Sequence, residues 1–196
     1  MRGPDSDRPA GARPPRHPPL GGEAGVQLVE LAILLPLLMV LVVGVFDFGA
    51  AFNLKQQLTN AARSAAGFGS SQPTNDLANG GVPDSVLSIR NLVDDHLVAA
   101  GINDCNLLGS GGAQSGPLVW TFSAAGNGCP GTLTLTVDRS DAYPASIGVN
   151  VISTRVQISY PKQWQFGNVI GLLAPGATYA NGVTQIPVDA IVPNAD

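Results

Sequence analysis

Charged residues are scarce in this sequence. Only 10 of its 196 residues are Lys or Arg and 14 are Asp or Glu, a charged fraction of 12%, against about 25% in ordinary soluble domains. The net charge is −4 and the basic residues are scattered, which excludes nucleic acid as a partner, because phosphate binding requires clustered Lys and Arg. With 24 Gly and 16 Pro, the composition favours a secreted or membrane-tethered protein with many turns and β-strands.

Histidine is scarcer still, with only His17 and His96. A Ser-His-Asp triad or a histidine-containing metal cluster therefore has almost no residues from which to form. The densest polar group is Asp94-Asp95-His96, which we interpret as a solvated helix face, because adjacent helical residues point in different directions. We predict no catalytic residue, no metal and no cofactor, and hence a protein that is not an enzyme.

One long hydrophobic run follows a polar N-terminal segment. Val26–Phe46 comprises 21 residues, about 31 Å as a helix, which is enough to cross the hydrocarbon core of a bilayer. The segment before it contains four arginines and many prolines, and is predicted to be a disordered, basic leader over residues 1–25. Because the arginines precede the run, the positive-inside rule predicts a cytoplasmic N-terminus and an extracytoplasmic C-terminal part.

Both cysteines, Cys105 and Cys129, lie in the part predicted to be extracytoplasmic. In an oxidising compartment such a pair usually becomes a disulfide, and closing this loop would stabilise the fold by roughly 3 to 4 kcal/mol in the chain-entropy model. Two buried free thiols are the alternative. A redox or metal site is less favoured, because the sequence has no CxxC motif and no histidine close to either cysteine.

Helical periodicity continues beyond the hydrophobic run. Small and apolar residues recur at steps of three and four, which predicts one apolar stripe on a continuing helix. The stripe comprises Phe48, Phe52, Leu58, Ala61, Ala62, Ala65 and Ala66. We expect the helix to end near Gly67, Gly69 and Pro73, which divides the chain into the leader 1–25, a transmembrane and amphipathic helix 26–67, and a head 68–196.

A conventional secretory signal is an alternative interpretation of the same region. The small residues Gly49 and Ala51 provide a peptidase site, and cleavage after Ala51 would release a secreted protein. The apolar run is slightly longer than a usual signal, and the helical pattern continues past the site, so the single long helix is favoured.

The N-terminal region resembles TadE-like proteins, the pseudopilins of bacterial tight-adherence (Tad) pili. Three ordered segments carry the resemblance: the processing-site glycine Gly25 with the acid Glu30 in the run Val29 to Leu38, then Phe46-Asp47-Phe48-Gly49, then Gln56 to Arg63. Together they cover about residues 20 to 67. Gly25 followed by an apolar segment with Glu30 is similar to a class III (prepilin) signal.

The resemblance implies a function and a set of partners. A prepilin peptidase would cut on the cytoplasmic side after Gly25, so that Val26 becomes the first mature residue and Glu30 the fifth. The protein would sit in the bacterial cytoplasmic (inner) membrane by a single span with its head outside. It would associate with membrane lipid, other pilins and pseudopilins, and the Tad secretion machinery, as a minor pseudopilin in assembly of a pilus for surface attachment. An uncleaved single-pass anchor that displays an extracytoplasmic binding domain is the alternative.

Two residues inside the run each have two interpretations. Glu30 lies one helical turn after Val26, so it can face the new amine of its own chain or of a neighbour, and the resemblance implies that it sets the stagger between subunits. Alternatively, Glu30 lies near the interface and extends to water. Pro36 either kinks the helix or is a tolerated membrane proline.

The head is predicted to be a small, pilin-like α+β domain. Pro83-Asp84 begins a second helix with Asp84 near its cap, and Gly101 ends it. Three or four antiparallel strands are predicted to pack against the long helix. The candidate strands are 118–122, 132–137, 149–160 and 183–190.

Several details of the head are also predicted. Asp138, Arg139 and Asp141 are interpreted as a strand end with its turn. A change of apolar parity between Val151 and Ile152 suggests a bulge or bend, and Pro187 confines the last strand to an edge. Four aromatic residues are interpreted as core packing or the flank of a loop rather than a ligand groove: Trp120, Trp164, Phe166 and Tyr179.

Overall fold

The computed structural model of the chain describes residues 23–78, 80–146, 149–165 and 182–194. The chain divides into two units, Met1–Met39 and Val40–Asp196. The predicted leader, apart from its last three residues, lies outside the described residues, and so do Phe166 and Tyr179.

In chain order the elements are α1 (Glu23–Ser70), α2 (Asp84–Ala99), a 3₁₀ turn (Leu107–Gly109), β1 (Ala113–Gly116), β2 (Val119–Ala124), β3 (Leu133–Ser146), β4 (Val149–Gln163) and β5 (Val183–Pro193). The predicted α+β class, with a long apolar N-terminal helix before a small antiparallel sheet, is confirmed.

The described part of the first unit is entirely helical. Helix α1 begins at Glu23 and continues through Pro36, whose missing N–H leaves one carbonyl of the preceding turn without its helical donor. The side chains of this part of the helix are exposed almost without exception.

The second unit contains the sheet, an antiparallel meander in the order β1-β2-β3-β4-β5. It has five strands rather than the predicted three or four. The missed strand is β1, whose sequence Ala-Gln-Ser-Gly is short and largely exposed, so that it lacks the apolar alternation that identifies a half-buried strand. The edge position predicted for the last strand is confirmed, because β5 pairs with β4 alone among the described strands.

The apolar residues of the sheet form cross-strand rows on one face. In one row Trp120, Val137, Val156 and Ala190 lie opposite one another in register, and in the next row Phe122, Leu135, Ile158 and Val188 do so. All eight are buried. The alternate residues, among them Thr121, Thr136 and Gln157, occupy the other face, as expected of an antiparallel sheet that has one face on the core and one in solvent.

Strand β3 is longer than predicted. Asp138, Arg139 and Asp141 were interpreted as a strand end with its turn, but β3 continues through them to Ser146. Asp138 pairs with Arg155 and Asp141 with Ser153, so two residues of β3 lie opposite Thr154 alone. One bulge is therefore on β3 opposite Thr154, and a second shift of register lies between Pro144 and Ser146 of β3. Val151 and Ile152, where the prediction placed a bulge or bend, pair in register with Tyr143 and Ala142.

The second half of α1 packs on the core by a stripe of small residues. Leu58, Ala61, Ala62, Ala65 and Ala66 are buried, as predicted, but Phe48 and Phe52 are exposed. The prediction was wrong for these two residues. Phe52 and the buried Leu58 are six residues apart, so their side chains point in directions about 240° apart around the helix axis, and Phe52 lies off the buried face.

The buried stripe of α1 continues instead through smaller or polar residues. Asp47 is buried, and Ala51 and Leu54 pack partly buried against the core. At the other end, a Cβ added to Gly69 would lie 2.8 Å from Cδ1 of Ile89 and 2.9 Å from Cγ2 of Thr154. Glycine at this position lets α1 approach α2 and β4 this closely. The helix ends at Ser70, within the predicted stretch from Gly67 to Pro73 and three residues after the predicted segment bound at 67.

The two ends of helix α2 are capped by different interactions. Asp84 lies near the cap, as expected: it is the first residue of the helix, directly after the N-cap Pro83, which makes no side-chain hydrogen bond. The Asp76 carboxylate instead accepts hydrogen bonds from Ser85 N (2.8 Å) and Ser85 Oγ (3.1 Å). At the C-terminus Gly101 has a φ of +69°, and its N–H donates to Val98 O while Ile102 N donates to Leu97 O, a closure that favours glycine.

Trp120 and Arg139 are the two largest fully buried side chains. Trp120 lies in the core, as predicted, and its Nε1 donates to Gly81 O at 3.2 Å. Arg139, only 1% exposed, donates to Gly69 O and, at 3.0 Å, to Gln72 O. Burial lowers the pKa of its guanidinium. The C-terminal turn of α1 is therefore closed by a side chain of the sheet.

We predict that Arg139→Met destabilises the fold by about 3 kcal/mol, because the substitution leaves two carbonyl oxygens without their donor. The measurement is urea unfolding of the full chain in detergent micelles, followed by tryptophan fluorescence. Arg155→Met is the matched control. Arg155 pairs with Asp189 at 3.1 Å on the surface, and its loss is expected to cost less than about 1 kcal/mol. Equal effects of the two substitutions would contradict the assigned role of Arg139.

Candidate assembly and membrane site

The exposed surface of α1 over its first turns is apolar apart from Gln27 and Glu30. Val26, Leu28, Val29, Ile33 and Leu37 are all exposed. Among the described residues α1 is the one helix long and apolar enough to cross a membrane, by length and composition. A continuous exposed surface of this kind, far larger than the few hundred Å² usual for a soluble monomer, indicates contact with lipid or with other apolar helices.

Gly25 and Val26 both lie within the helical part of α1, and both are exposed. No atom lies within 4 Å of the position that a Cβ on Gly25 would take. The backbone around the predicted processing bond is therefore not covered by any described part of the chain.

Glu30 is also exposed and makes no hydrogen bond or ion pair with any described residue. It stands four residues after Val26, one turn along the helix, where a carboxylate and an amine can approach each other. A lone carboxylate deep in a bilayer costs on the order of 3 kcal/mol. A charge that α1 leaves without an internal partner in this part of the chain is therefore available to a group on another molecule.

Asp94 is the one member of the predicted polar group that the structure places differently. It was interpreted as part of a solvated face, but its side chain is 5% exposed, and its Oδ1 has no hydrogen-bond partner among the described residues. Burial, followed by the charges of Asp104 and Asp95 and a hydrogen bond with Asp104, raises the pKa of Asp94. A hydrogen bond from Asn127 Nδ2 (3.0 Å) lowers the pKa of Asp104. The two carboxyls thus favour a shared proton on Asp94.

Cys105 directly follows Asp104 in the sequence. Cys105 and Cys129 form a disulfide, with their Cα atoms 5.3 Å apart. Asn103 Oδ1 accepts from Cys105 N at 2.9 Å and Asn103 Nδ2 donates to Asn127 O at 2.7 Å. The disulfide and this asparagine together join the two ends of the loop that contains β1 and β2.

We predict that Asp94→Asn stabilises the fold at neutral pH. Because the folded-state pKa of Asp94 lies above its ordinary value of 3.8, the folded chain binds more protons than the unfolded chain between these two values, and its stability falls as pH rises through this window. Asparagine stays neutral and still donates to Asp104. When urea unfolding midpoints are measured from pH 3 to 8, the midpoint of Asp94→Asn should rise above that of the unsubstituted chain as pH increases. At higher pH the difference between the two midpoints should stay constant. The exposed Asp95→Asn is the control, and curves that never diverge would refute the assignment.

Comparison with known proteins identifies one segment of the chain. Residues 25–67 match the family model described as TadE-like protein. No curated protein and no solved structure matches the chain. The matched segment begins at Gly25 and ends three residues before the last residue of α1, so it contains both the exposed apolar surface and the buried alanine stripe. The predicted resemblance is confirmed over this segment: residues 25–67 match the TadE-like family model, which covers less than a quarter of the chain.

Proposed function

We propose that the protein is a minor pseudopilin that acts in assembly of a tight-adherence pilus for surface attachment, and that it is not an enzyme. The observation that carries the proposal is that the TadE-like match at residues 25–67 lies within the part of α1, Gly25–Ser70, that is long and apolar enough to cross a membrane. In this proposal α1 crosses the bacterial inner membrane with its N-terminus in the cytoplasm. Its partners are prepilin peptidase, other pilins and pseudopilins, the Tad secretion machinery and membrane lipid.

The proposed mechanism is lateral association of apolar helices. Large exposed side chains such as Leu28 and Ile33 leave a helix that can exchange lipid for other helices at little cost, since lipid tails and leucine are similarly apolar. The specific stagger between adjacent helices must then come from the one charged side chain in this segment, the Glu30 carboxylate. Glu30 would select the stagger at which its carboxylate meets an amine of an adjacent subunit, because other staggers leave a charge unpaired.

Release of a secreted protein by cleavage after Ala51 is disfavoured by the packing of α1. Ala51 lies within the helix, and both Ala51 and Leu54 pack against the core of the second unit. A cut at this position would break helical hydrogen bonds and free the first turn of the segment that fills the core.

The mature N-terminus tests the proposed processing. We expect mass spectrometry to find a start at Val26 when prepilin peptidase is present and an intact leader when it is absent. Gly25→Val should block cleavage, since a branched side chain fills the space beside the bond. Gly49→Val is the matched control, because it is also in α1 with nothing within 4 Å of its Cβ position. A start at Phe52 would refute the proposal in favour of a secretory signal, and an unprocessed chain beside active peptidase would leave a membrane anchor.

Glu30→Gln tests the proposed register. The substitution keeps the shape of the side chain and removes its charge, so membrane insertion should be unchanged while the amount in sheared pili falls roughly tenfold, equivalent to about 1.4 kcal/mol. Gln27→Ala alters an exposed polar residue one turn earlier and should have no such effect. If the glutamine variant enters pili at the normal level, Glu30 extends to water and does not set the stagger.

A further inference from the structure

The exposed surface of α1 stays apolar beyond the charge-free run. Phe46, Phe48 and Phe52 are 75%, 61% and 67% exposed. The one charged residue between Leu31 and Leu54 is Asp47, which is only 5% exposed. Lys55 is therefore the first exposed charge after Glu30. The outer surface between them extends over roughly 24 residues, about 36 Å, which covers a hydrocarbon core of about 30 Å and part of one headgroup layer.

The strand β4 ends beside this part of α1. The rings of Phe48 and Trp164 are 5.5 Å apart at an interplanar angle of 60°, an edge-to-face contact. Trp164 Nε1 donates to Thr184 Oγ1 of β5 at 2.9 Å. The indole is thus held on its polar side by the sheet and on its apolar side by the helix. It lines a shallow groove together with Phe48, Phe52 and Lys55.

The exposed charges of α1 that lie closest in sequence after these aromatic residues are positive, although the whole chain is acidic. From Phe48 to Ser70 the only charged residues of α1 are Lys55 and Arg63, and both are exposed. Tryptophan and phenylalanine rings beside lysine at the end of an apolar helix are the side chains that partition into a membrane interface. Basic residues at that level also attract anionic headgroups.

We propose that Phe48, Phe52, Lys55 and Trp164, the interfacial cluster, bind the extracytoplasmic headgroup layer of the membrane. The proposal rests on insertion of α1 as part of the proposed function. Lipid is the occupant because the cluster continues, without an exposed charge, the surface that enters the bilayer, and because the first charges beyond it are basic. The rings insert beside the upper acyl chains while Lys55 reaches the lipid phosphates.

The two tryptophans of the chain give a direct test. Trp120 is buried in the core, whereas Trp164 belongs to the interfacial cluster. The full chain and its Trp164→Phe variant are placed in vesicles whose lipids contain bromine either near the headgroup or near the acyl-chain end. Bromine quenches tryptophan only at short range, so the difference between the two proteins reports Trp164 and the variant alone reports Trp120.

We expect lipid with shallow bromine to quench up to about half of the fluorescence of the full chain and almost none of the variant's, because one of the two tryptophans would lie at the interface and Trp120 is buried in the core. Deep bromine should quench both weakly. Phe48→Ala removes the ring that holds Trp164 and should reduce the shallow quenching. Phe68→Ala, at a partly exposed phenylalanine 20 residues further along α1, should leave the quenching unchanged.

Flotation of the vesicles separates the two possible failures. A chain that does not float with the vesicles would refute insertion of α1 and, with it, the proposed binding of the interfacial cluster to lipid. A chain that floats while its quenching equals that of Trp164→Phe would leave insertion intact and overturn the cluster, since Trp164 would then lie away from lipid.

Discussion

A buried cation holds the last turn of α1 in place. Arg139 donates to the carbonyl oxygens of Gly69 and Gln72, where the end of a helix carries a partial negative charge. Because the guanidinium is removed from water, its desolvation must be offset by these oxygens and by the charge of Asp76. The same turn brings Gly69 against Ile89 of α2 and Thr154 of β4 with no room for a side chain. The end of one helix, the middle of another and the centre of the sheet are thus fixed at one point.

The local sequence pattern predicted the helices and most strands of this core, but it did not predict the hydrogen bonds by which Arg139 joins β3 to the end of α1. The alternation of Leu133, Leu135 and Val137 predicted β3, and Arg139 continues the same inward phase. A charge on an inward position of a strand is itself a signal, because such a residue must find a partner inside the protein. The partner carbonyl is 70 residues away in the sequence, so no local pattern identifies it. Strand β1 was missed for a simpler reason, since its four residues have no apolar alternation.

The residues of the candidate site also divide into those that the local sequence identifies and those that depend on the folded structure. Gly25, Val26 and Glu30 were identified from the sequence because their spacing in one apolar segment is local information, and the structure adds only their exposure. Asp94 was misjudged because both its burial and the nearby charge of Asp104 arise from the folded structure, and no local pattern reveals them. Phe48 and Phe52 were placed on the core because an apolar residue on a helix has the same pattern whether protein or lipid covers it. Only the packed structure distinguishes the two faces.

Asp47 marks the point at which α1 acquires two faces. Before it, from Leu31 to Phe46, the helix has no polar side chain. From Asp47 onward a buried stripe passes through Leu54 and Leu58, while phenylalanines and then Lys55 occupy the outside. A carboxylate at this level facing lipid would cost on the order of 3 kcal/mol, and the inward position of Asp47 avoids that cost. The lipid-facing surface can therefore extend past an acid in the sequence, and its end is set by Lys55, whose long side chain lets the charge reach the headgroups while the stem stays apolar.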